Sequence, residues 1–237
     1  WPISRSTYVQ LLNRLDQAAA VGFDLLFMEP SSDDLALRQA LERHGRIVLA
    51  EYLDGSGAFA RSVLHTAAVR SGHVHVEPGV DNTVREIAHR ITDTAGRSLP
   101  SLSSALYRLA LPQTTSQAVT GSFPQQGVIR QQDFRMINFY GPPGSFTHLS
   151  LAELLGGNTP PGFFKDKLVL VGLTAAGVDD DVDTPFSQDR NRMPGVEQHA
   201  SDLNHLLANR WIRGLPAAWC RVAAFLGAFG VGVVSLR

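Results

Sequence analysis

The sequence predicts an α/β fold in which a mostly parallel sheet is flanked by helices. Three short apolar runs carry this prediction, at residues 21–28, 46–52 and 168–171. Each run is bounded by turn residues, which is typical of strands buried on both faces. Apolar residues at helical spacing lie between these runs. Strands that alternate with helices form parallel sheets through crossover connections. An inserted β-hairpin and the start of a transmembrane helix complete the predicted architecture.

Composition limits the class of protein before any motif is considered. The chain has 237 residues, of which 44% are hydrophobic, enough for one large domain or two small ones. Its formal net charge of -1 lacks the basic excess of a nucleic-acid-binding surface, so no nucleic acid partner is predicted. The single cysteine, Cys220, cannot form an internal disulfide and does not identify the cellular compartment. No motif implies a cofactor.

The first third of the chain alternates helix and strand. Apolar residues at helical spacing predict a helix over residues 6–20, and the polar residues 31–34 are suited to cap a second helix. Residues 59–70 are predicted to form a third helix. This alternation supports the parallel sheet.

A hairpin is predicted where the alternation of helix and strand breaks. Residues 72–77 alternate strictly, residues 81–82 form a turn pair, and residues 84–91 are expected to return as the partner strand. His73 and His75 share one face of the first strand. A metal site is one interpretation, but no third ligand is close in sequence, so an exposed strand face is favoured.

The second half repeats the α/β pattern. Further elements are predicted as a helix starting near Pro100, a polar loop at 112–127, a strand at 135–140, a short helix at 148–155 and a last helix at 196–209. The last helix has an apolar stripe formed by Val196, Ala200, Leu203 and Leu207.

The loop after the third apolar run resembles a phosphate loop only in spacing. Residues 172–177 have the G-x-x-x-x-G pattern, but Val178 and Asp179 follow where a phosphate loop has lysine and then serine or threonine. The residue that neutralises phosphate is therefore missing, and nucleotide binding of that kind is excluded.

An acidic run follows this loop. Asp179, Asp181 and Asp183 form the D-x-D-x-D opening of a calcium loop. Thr184 and Arg190 occupy the positions where an EF-hand requires glycine and glutamate. A solvated loop is the favoured interpretation, and a different divalent-ion site stays open.

Three further side chains are candidates for chemistry. Asp24 lies in the first apolar run, where a carboxylate is costly unless it is paired, so it either anchors a loop or belongs to a site. Glu197 and His199 lie on the last helix. No nucleophile motif such as G-x-S-x-G and no H-E-x-x-H accompanies them.

Four motifs in order resemble a known family, the second-class CHASE domains, which are cyclase/histidine-kinase-associated sensory extracellular domains. They are V-G-F-D-L-L-F-M-E-P at 21–30, G-H-V-H-V-E-P-G-V-D-N-T-V-R at 72–85, F-F-K-D-K-L-V-L-V-G-L-T-A-A-G at 163–177 with D-T-P at 183–185, and M-P-G-V-E-Q-H-A at 193–200. Asn82 departs from the family, which commonly has glycine there, but both residues tolerate a left-handed turn. The resemblance runs from Trp1 to about Pro216.

The resemblance implies a bacterial sensor on the periplasmic side of the inner membrane. Residues 1–215 would form the sensor domain, and residues 216–237 a juxtamembrane segment and the start of a transmembrane helix. The resemblance also implies a cytoplasmic output domain in the same polypeptide, such as a diguanylate cyclase, a phosphodiesterase, an adenylate cyclase or a histidine kinase. A homodimer and an unidentified small-molecule or ion ligand are further expected partners.

The sequence leaves the nature of the last segment open. Residues 222–236 carry no charge, but these 15 residues are fewer than the roughly 20 that cross a bilayer. A membrane span that continues beyond the chain is favoured over a buried core helix. Arg210, Arg213 and Arg221 precede it, and positive charge there favours a cytoplasmic position, against the implied orientation.

The ligand site is predicted beyond the carboxyl ends of the strands, where open α/β sheets bind ligands. The expected ligand-binding residues are Asp24, Glu29, Gly172, Thr174, Gly177, Asp179, Asp183 and His199. Two other functions stay open. One is a spacer or dimerisation module without a ligand, and the other is a metal-assisted hydrolase that uses Asp24, Asp179 and His199.

Overall fold

The computed structural model describes residues 3–111, 132–175, 180–187, 191–210, 212, 221–222 and 224–225. Within these residues the helices are α1 (Arg5–Arg14), α2 (Asp34–His44), α3 (Leu102–Ala110), α4 (Leu151–Leu155) and α5 (Gly195–Ala208). The strands are β1 (Ala20–Phe23), β2 (Ile47–Leu53), β3 (Phe59–Ala60), β4 (Arg70–His73), β5 (Glu86–Thr92), β6 (Ser98–Pro100), β7 (Gln132–Met136), β8 (Leu168–Val171), β9 (Asp181–Val182) and β10 (Met193–Pro194).

A parallel sheet forms the centre of the molecule, as the apolar runs predict. Its strands lie in the order β4–β2–β1–β8, and all three neighbouring pairs are parallel. The short strand β3 pairs antiparallel with the end of β2. The α/β class with a partly parallel sheet is therefore confirmed. β8 is only half-buried along its length, since it lies at one edge of this sheet.

Side chains alternate between the two faces of this sheet. Val21 and Phe23 of β1 pack with α1 and α2, whereas Ala20 of the same strand packs with α3. β2 repeats the pattern, since Leu49 lies on the first face and Val48 on the second. This period of two is the geometry of an extended strand, and it places one helical layer on each side of the sheet.

The predicted hairpin is wrong. β4 pairs in parallel with β2, and β5 pairs instead with β6 and β7 in a separate antiparallel sheet. Alternation in sequence shows a strand but does not identify its partner. Close packing with α3 limits where β4 can lie, since a Cβ at Gly72 would be 2.6 Å from the Cα of Leu102 at the start of that helix.

The predicted exposed face for His73 is also wrong, because its side chain is completely buried, and His75 is half-buried. The helix predicted over residues 59–70 is absent too. That segment contains β3, a 3₁₀ turn at His65–Ala67 and the start of β4. Tertiary pairing overrides local propensity here, because Ala60 pairs with Tyr52 and the backbone N–H of Phe59 donates to Asp93 at 3.3 Å.

Among the residues described, no helix is both long enough and apolar enough to span a bilayer. Most of the predicted span at 222–236 lies outside the described residues, as do Cys220 and the polar loop at 112–127.

Candidate functional site

The carboxyl ends of β1 and β8 meet at one edge of the parallel sheet. Asp24 directly follows β1, and its backbone N–H donates to the carbonyl oxygen of Val171 at 2.8 Å. Gly172 directly follows β8, and a Cβ there would lie 2.5 Å from the Cβ of Val196. Glycine at this position therefore allows the first turn of α5 to pack against the end of β8.

α5 brings a histidine to this edge. The Nε2 of His199 lies 3.9 Å from the Oδ2 of Asp24, and the two side chains are 2% and 8% exposed. Burial raises the pKa of Asp24, and the nearby imidazole of His199 opposes that rise. The separation is an ion-pair distance rather than a hydrogen bond, so the carboxyl group is only partly compensated.

A second carboxyl group lies beside this pair. The backbone carbonyl of Asp180 accepts a hydrogen bond from the N–H of Gly195 at 2.8 Å, which holds the acidic segment against the start of α5. The adjoining strands β9 and β10 pair antiparallel. Burial, followed by the charge of Asp24, raises the pKa of Asp180 to about 6, and His199 opposes the rise. The edge therefore holds one imidazole and two carboxyl groups that stay protonated to a higher pH than usual.

The structure places the predicted ligand residues unevenly. Asp24, Gly172 and His199 lie together at this edge, and the exposed Thr174 follows in the same loop. Gly177 and Asp179 lie outside the described residues.

Two predicted residues are engaged elsewhere. The Oδ1 of Asp183 pairs with the Nε of Arg192 at 3.3 Å, and its Oδ2 accepts from the Nδ2 of Asn82 at 3.2 Å. Glu29 is exposed, and its backbone carbonyl accepts from the Nη2 of Arg5 at 2.9 Å. These contacts indicate structural roles for Asp183 and for the backbone of Glu29.

Sequence patterns singled out Glu197 and His199 on α5 but missed the other buried polar side chains of this helix. Glu197 is 2% exposed, and its carboxylate accepts from the backbone N–H groups of Gly144 and Ser145 at 2.9 Å. The predicted apolar stripe is correct for Val196 and Leu203 but wrong for Leu207, which is 54% exposed. The polar residues Gln198, Asp202 and His205 recur at helical spacing, and this spacing was the available signal.

The three interpretations that involve a metal gain no support from the described residues. Among the described residues, no group of three or more His, Cys, Asp or Glu side chains is arranged to hold a metal ion. Asp179, the third residue of the hydrolase hypothesis, lies outside those residues.

Comparison with known families identifies the chain. A search of curated proteins and a search of solved structures each found no match. A family model described as "CHASE2 domain" matches residues 1–234, nearly the full length, which confirms the family indicated by the four motifs. Domains of this family are sensory extracellular domains of membrane receptors rather than catalytic domains. The chain thus belongs to the CHASE2 domain family.

Proposed function

We propose that this chain is the signal-input domain of a bacterial transmembrane receptor, on the periplasmic side of the inner membrane, and that a small ligand binds at the carboxyl edge of its parallel sheet. Membership of a sensory family supports the general role. The observation that carries the ligand site is the buried pair of Asp24 and His199 beside Asp180. Carboxyl groups whose pKa values are raised by burial and by a neighbouring charge are typical of functional positions.

The chemistry of this edge favours a cationic ligand. The charge of Asp24 contributes to the raised pKa of Asp180, so the two carboxylates repel each other when both are ionised. An ammonium group or another cationic donor between them relieves that repulsion and satisfies carboxylate lone pairs. The exposed hydroxyl of Thr174 in the adjoining loop is suited to contact the rest of such a ligand.

Signal transfer follows from which elements the ligand joins. Asp24 belongs to the sheet, whereas Asp180 and His199 move with the start of α5. A ligand that binds both sides favours the packing in which α5 lies against the sheet. It shifts the equilibrium only by its difference in affinity for the two states, and a coupling of about 1–3 kcal/mol is typical.

The downstream part of the proposal concerns the rest of the receptor. α5 precedes the segment for which the sequence predicts a membrane helix, and that helix would carry the change to a cytoplasmic output domain. A diguanylate cyclase, a phosphodiesterase, an adenylate cyclase and a histidine kinase are the output classes that the family resemblance implies. A homodimer is the simplest assembly that would bring two such outputs together.

A thermal-shift screen tests the ligand site. The 237-residue chain is heated with a library of amines, amino acids, divalent ions and neutral metabolites, because a ligand that binds the native state raises the melting temperature. We expect amine-containing compounds to stabilise the chain and Asp24→Asn or Asp180→Asn to abolish that stabilisation. Asp166→Asn is the matched control, because Asp166 is exposed and its φ of 59° suits asparagine equally well.

Three outcomes would contradict the proposal. One is a stabilising amine whose effect survives both substitutions at the edge. Another is a loss of stabilisation that Asp166→Asn reproduces, because the effect would then reflect net charge alone. A library without any stabilising compound would favour the spacer module.

A further inference from the structure

Four buried histidines from three different elements lie close to one another in the interior of this domain, and two of them face a buried carboxylate. They are His73 of β4, His89 of β5, and His199 and His205 of α5, with exposures of 0%, 7%, 2% and 2%. The carboxylate of Asp202 is fully buried, and its Oδ1 lies 3.0 Å from the Nε2 of His89. We call these five residues the histidine cluster. α5 contacts β8 of the parallel sheet, and its Asp202 is hydrogen-bonded to His89 of the antiparallel sheet.

His73 is the most confined member of the histidine cluster. Its ring stacks on Phe59, with centroids 6.3 Å apart and planes at 15°. Neither ring nitrogen makes a hydrogen bond of good geometry within the described residues, and a weak contact with the backbone of Ala88 only partly favours the charged form. Burial lowers the pKa of His73 well below its ordinary value, and the charges of His75, His199 and His89 lower it further.

The other charged groups around the cluster are few. His205 accepts the backbone N–H of Asn138 at its Nδ1, at 3.3 Å, and faces Asp202, His89 and Arg135. Burial is the largest cause that lowers the pKa of His205, and Asp202 opposes it.

Two histidines, His75 and His199, lie at the margins of the cluster and face other charged groups. His75, on the segment after β4, faces Glu77, and burial lowers the pKa of His75 as well. At the margin next to the carboxyl edge, His199 faces Asp24 and Asp180. The cluster therefore gathers four imidazoles in the interior, where a charge on His199 or His89 lowers the pKa of His73.

We propose that the histidine cluster makes this domain responsive to protons, so that acidification loosens the packing of α5 against β4 and β5. The proton is then a second ligand, bound by a cluster that shares only His199 with the carboxyl edge. Only the interpretation of this proton response as a signal rests on the proposed sensory function. The loosening itself needs neither a small ligand nor an output domain.

The direction of the effect follows from linkage. We call the packing seen in the structure closed, and a packing in which α5 has moved away and water reaches these rings open. In the closed packing the pKa values of His73, His75 and His205 lie below the ordinary 6.5. The open state restores the ordinary value. Protons therefore bind the open state more tightly, and acidification below about pH 6.5 shifts the equilibrium towards it. Each such histidine raises the open population by up to about tenfold per pH unit, until its closed-state pKa is reached.

The carboxyl groups at the edge act in the opposite direction. Burial raises the pKa of Asp24 and of Asp180, the latter to about 6, so these groups take up protons in the closed packing and favour it. The carboxyl group of Asp180 in the closed packing is half protonated near pH 6. The opening caused by the histidines is therefore expected to begin as the pH falls through 6.5, and protonation of Asp180 opposes it increasingly towards lower pH.

Hydrogen exchange measured by mass spectrometry tests the proposal on the 237-residue chain without ligand. Exchange is followed from about pH 7.5 to about pH 5.5 and corrected for the intrinsic pH dependence of amide exchange. We expect the opening of β4 and α5 to increase on acidification while α1 and α2 stay protected. His73→Gln and His205→Gln each remove one titrating group and should each reduce the slope by up to about tenfold per pH unit.

The matched control is His44→Gln. Burial also lowers the pKa of His44, but this residue lies on α2 outside the cluster, where its Nε2 contacts the carbonyl of Leu15 at 2.9 Å. The control should leave the slope at β4 and α5 unchanged. Equal slopes in the parent chain and in both cluster variants would overturn the proposal, and so would simultaneous opening of all helices, which indicates global acid unfolding.

A second measurement covers the case in which the variants do not fold. Ring resonances of the histidines in the unsubstituted chain are followed by NMR across the same pH range. We expect the rings of His73 and His205 to titrate together with the backbone resonances of α5. Rings that titrate singly while the α5 backbone stays unchanged would refute the proposal. Failure here would leave the thermal-shift result untouched, so the two proposals fail separately.

Discussion

The two faces of the parallel sheet are packed by different chemistry. The face covered by α1 and α2 is apolar, with Leu15, Phe23 and Leu37 fully buried and tight contacts among Tyr8, Phe23 and Phe27. On the other face, α3 adds a smaller apolar cluster around Leu102 and Leu106. Six of the ten buried residues of α5 on this side are polar or charged, and these are Glu197, Gln198, His199, Ser201, Asp202 and His205. One sheet therefore separates a layer that is apolar from a layer in which titratable groups lie beside a smaller apolar cluster.

This difference teaches where a signal can enter. Apolar burial stabilises by about 25 cal/mol per Å² and does not respond to ligand or pH in the physiological range. Buried polar groups cost free energy unless they are paired, and their balance changes whenever a proton or an ion arrives. The α5 face is therefore the part of the domain in which small chemical changes alter packing.

The largest expected effect tests the apolar face. Phe23→Ala removes a fully buried ring that contacts Tyr8 and Phe27, and it should lower the free energy of unfolding by about 3–5 kcal/mol. Ser201→Ala on the opposite face removes a buried hydroxyl that bonds no described residue. We expect its effect to stay below about 1 kcal/mol. Urea denaturation of both variants measures the contrast, and equal losses would break the comparison.

The next effect concerns the ion pair that joins the parallel sheet to the antiparallel sheet. Arg97, which precedes β6, binds Glu51 of β2 through two hydrogen bonds of 2.6 and 2.7 Å, and the Glu51 side chain is 1% exposed. Arg97→Ala leaves this carboxylate buried without its partner and should destabilise the fold by about 3 kcal/mol.

A double-mutant cycle with Glu51→Gln isolates the interaction within this pair. The double variant should lose less stability than the sum of the two single losses, because Arg97→Ala no longer strands a charge when residue 51 is neutral. Strict additivity of the two losses would show that the pair does not couple the sheets.

A third effect measures how closely α5 packs on the sheet. A Cβ at Gly172 would lie 2.5 Å from the Cβ and 2.7 Å from the Cγ2 of Val196, so Gly172→Ala must displace the first turn of α5. Overpacking of this kind costs about 1–3 kcal/mol. Gly55→Ala is the control, because no atom lies within 4 Å of its added Cβ. Similar melting temperatures for the two variants would show that the contact yields easily.

Local patterns predicted most elements of the fold because those elements depend on nearby residues. The apolar runs around Val21, Val48 and Val169 form three of the four strands of the parallel sheet, and helical spacing located α1, α2 and α5. The pairing of β4 was not predictable in this way, because a strand that alternates has the same pattern beside any neighbour. Its parallel position beside β2 depends on contacts that are distant in sequence.

The candidate site was predictable to the extent that topology defines it. Asp24 and His199 were both expected near the carboxyl edge, and they lie 3.9 Å apart there. Sequence alone did not distinguish Asp180 from its acidic neighbours, because the pairing of β9 with β10 sets which carboxyl group meets Gly195. The burial of His73 was hidden for a similar reason, since only the packed chain shows what covers β4.

The smallest effect is a pH-dependent one at the carboxyl edge. The pKa of Asp180 rises from 3.8 to about 6 on folding, so between these values the folded chain keeps a proton that the unfolded chain has lost. Stability therefore falls as the pH rises through this window and then stays constant. Asp180→Asn cannot ionise, so it should be more stable than the parent chain at pH 7, by about 1 kcal/mol once solvent screening of this half-buried group is included.

The pH profile distinguishes this cause from simple packing. The advantage of Asp180→Asn should disappear as the pH falls from about 6 towards 3.8, because the parent carboxyl group is then protonated as well. Asp81→Asn provides a control of opposite sign, since the hydrogen bonds and charge of Arg85 lower the pKa of Asp81 and its ionised form stabilises the fold. Urea denaturation at several pH values measures both differences. An advantage of Asp180→Asn that does not vary with pH would mean that charge at this edge does not oppose folding, and the contrast between the two faces would then rest on packing alone.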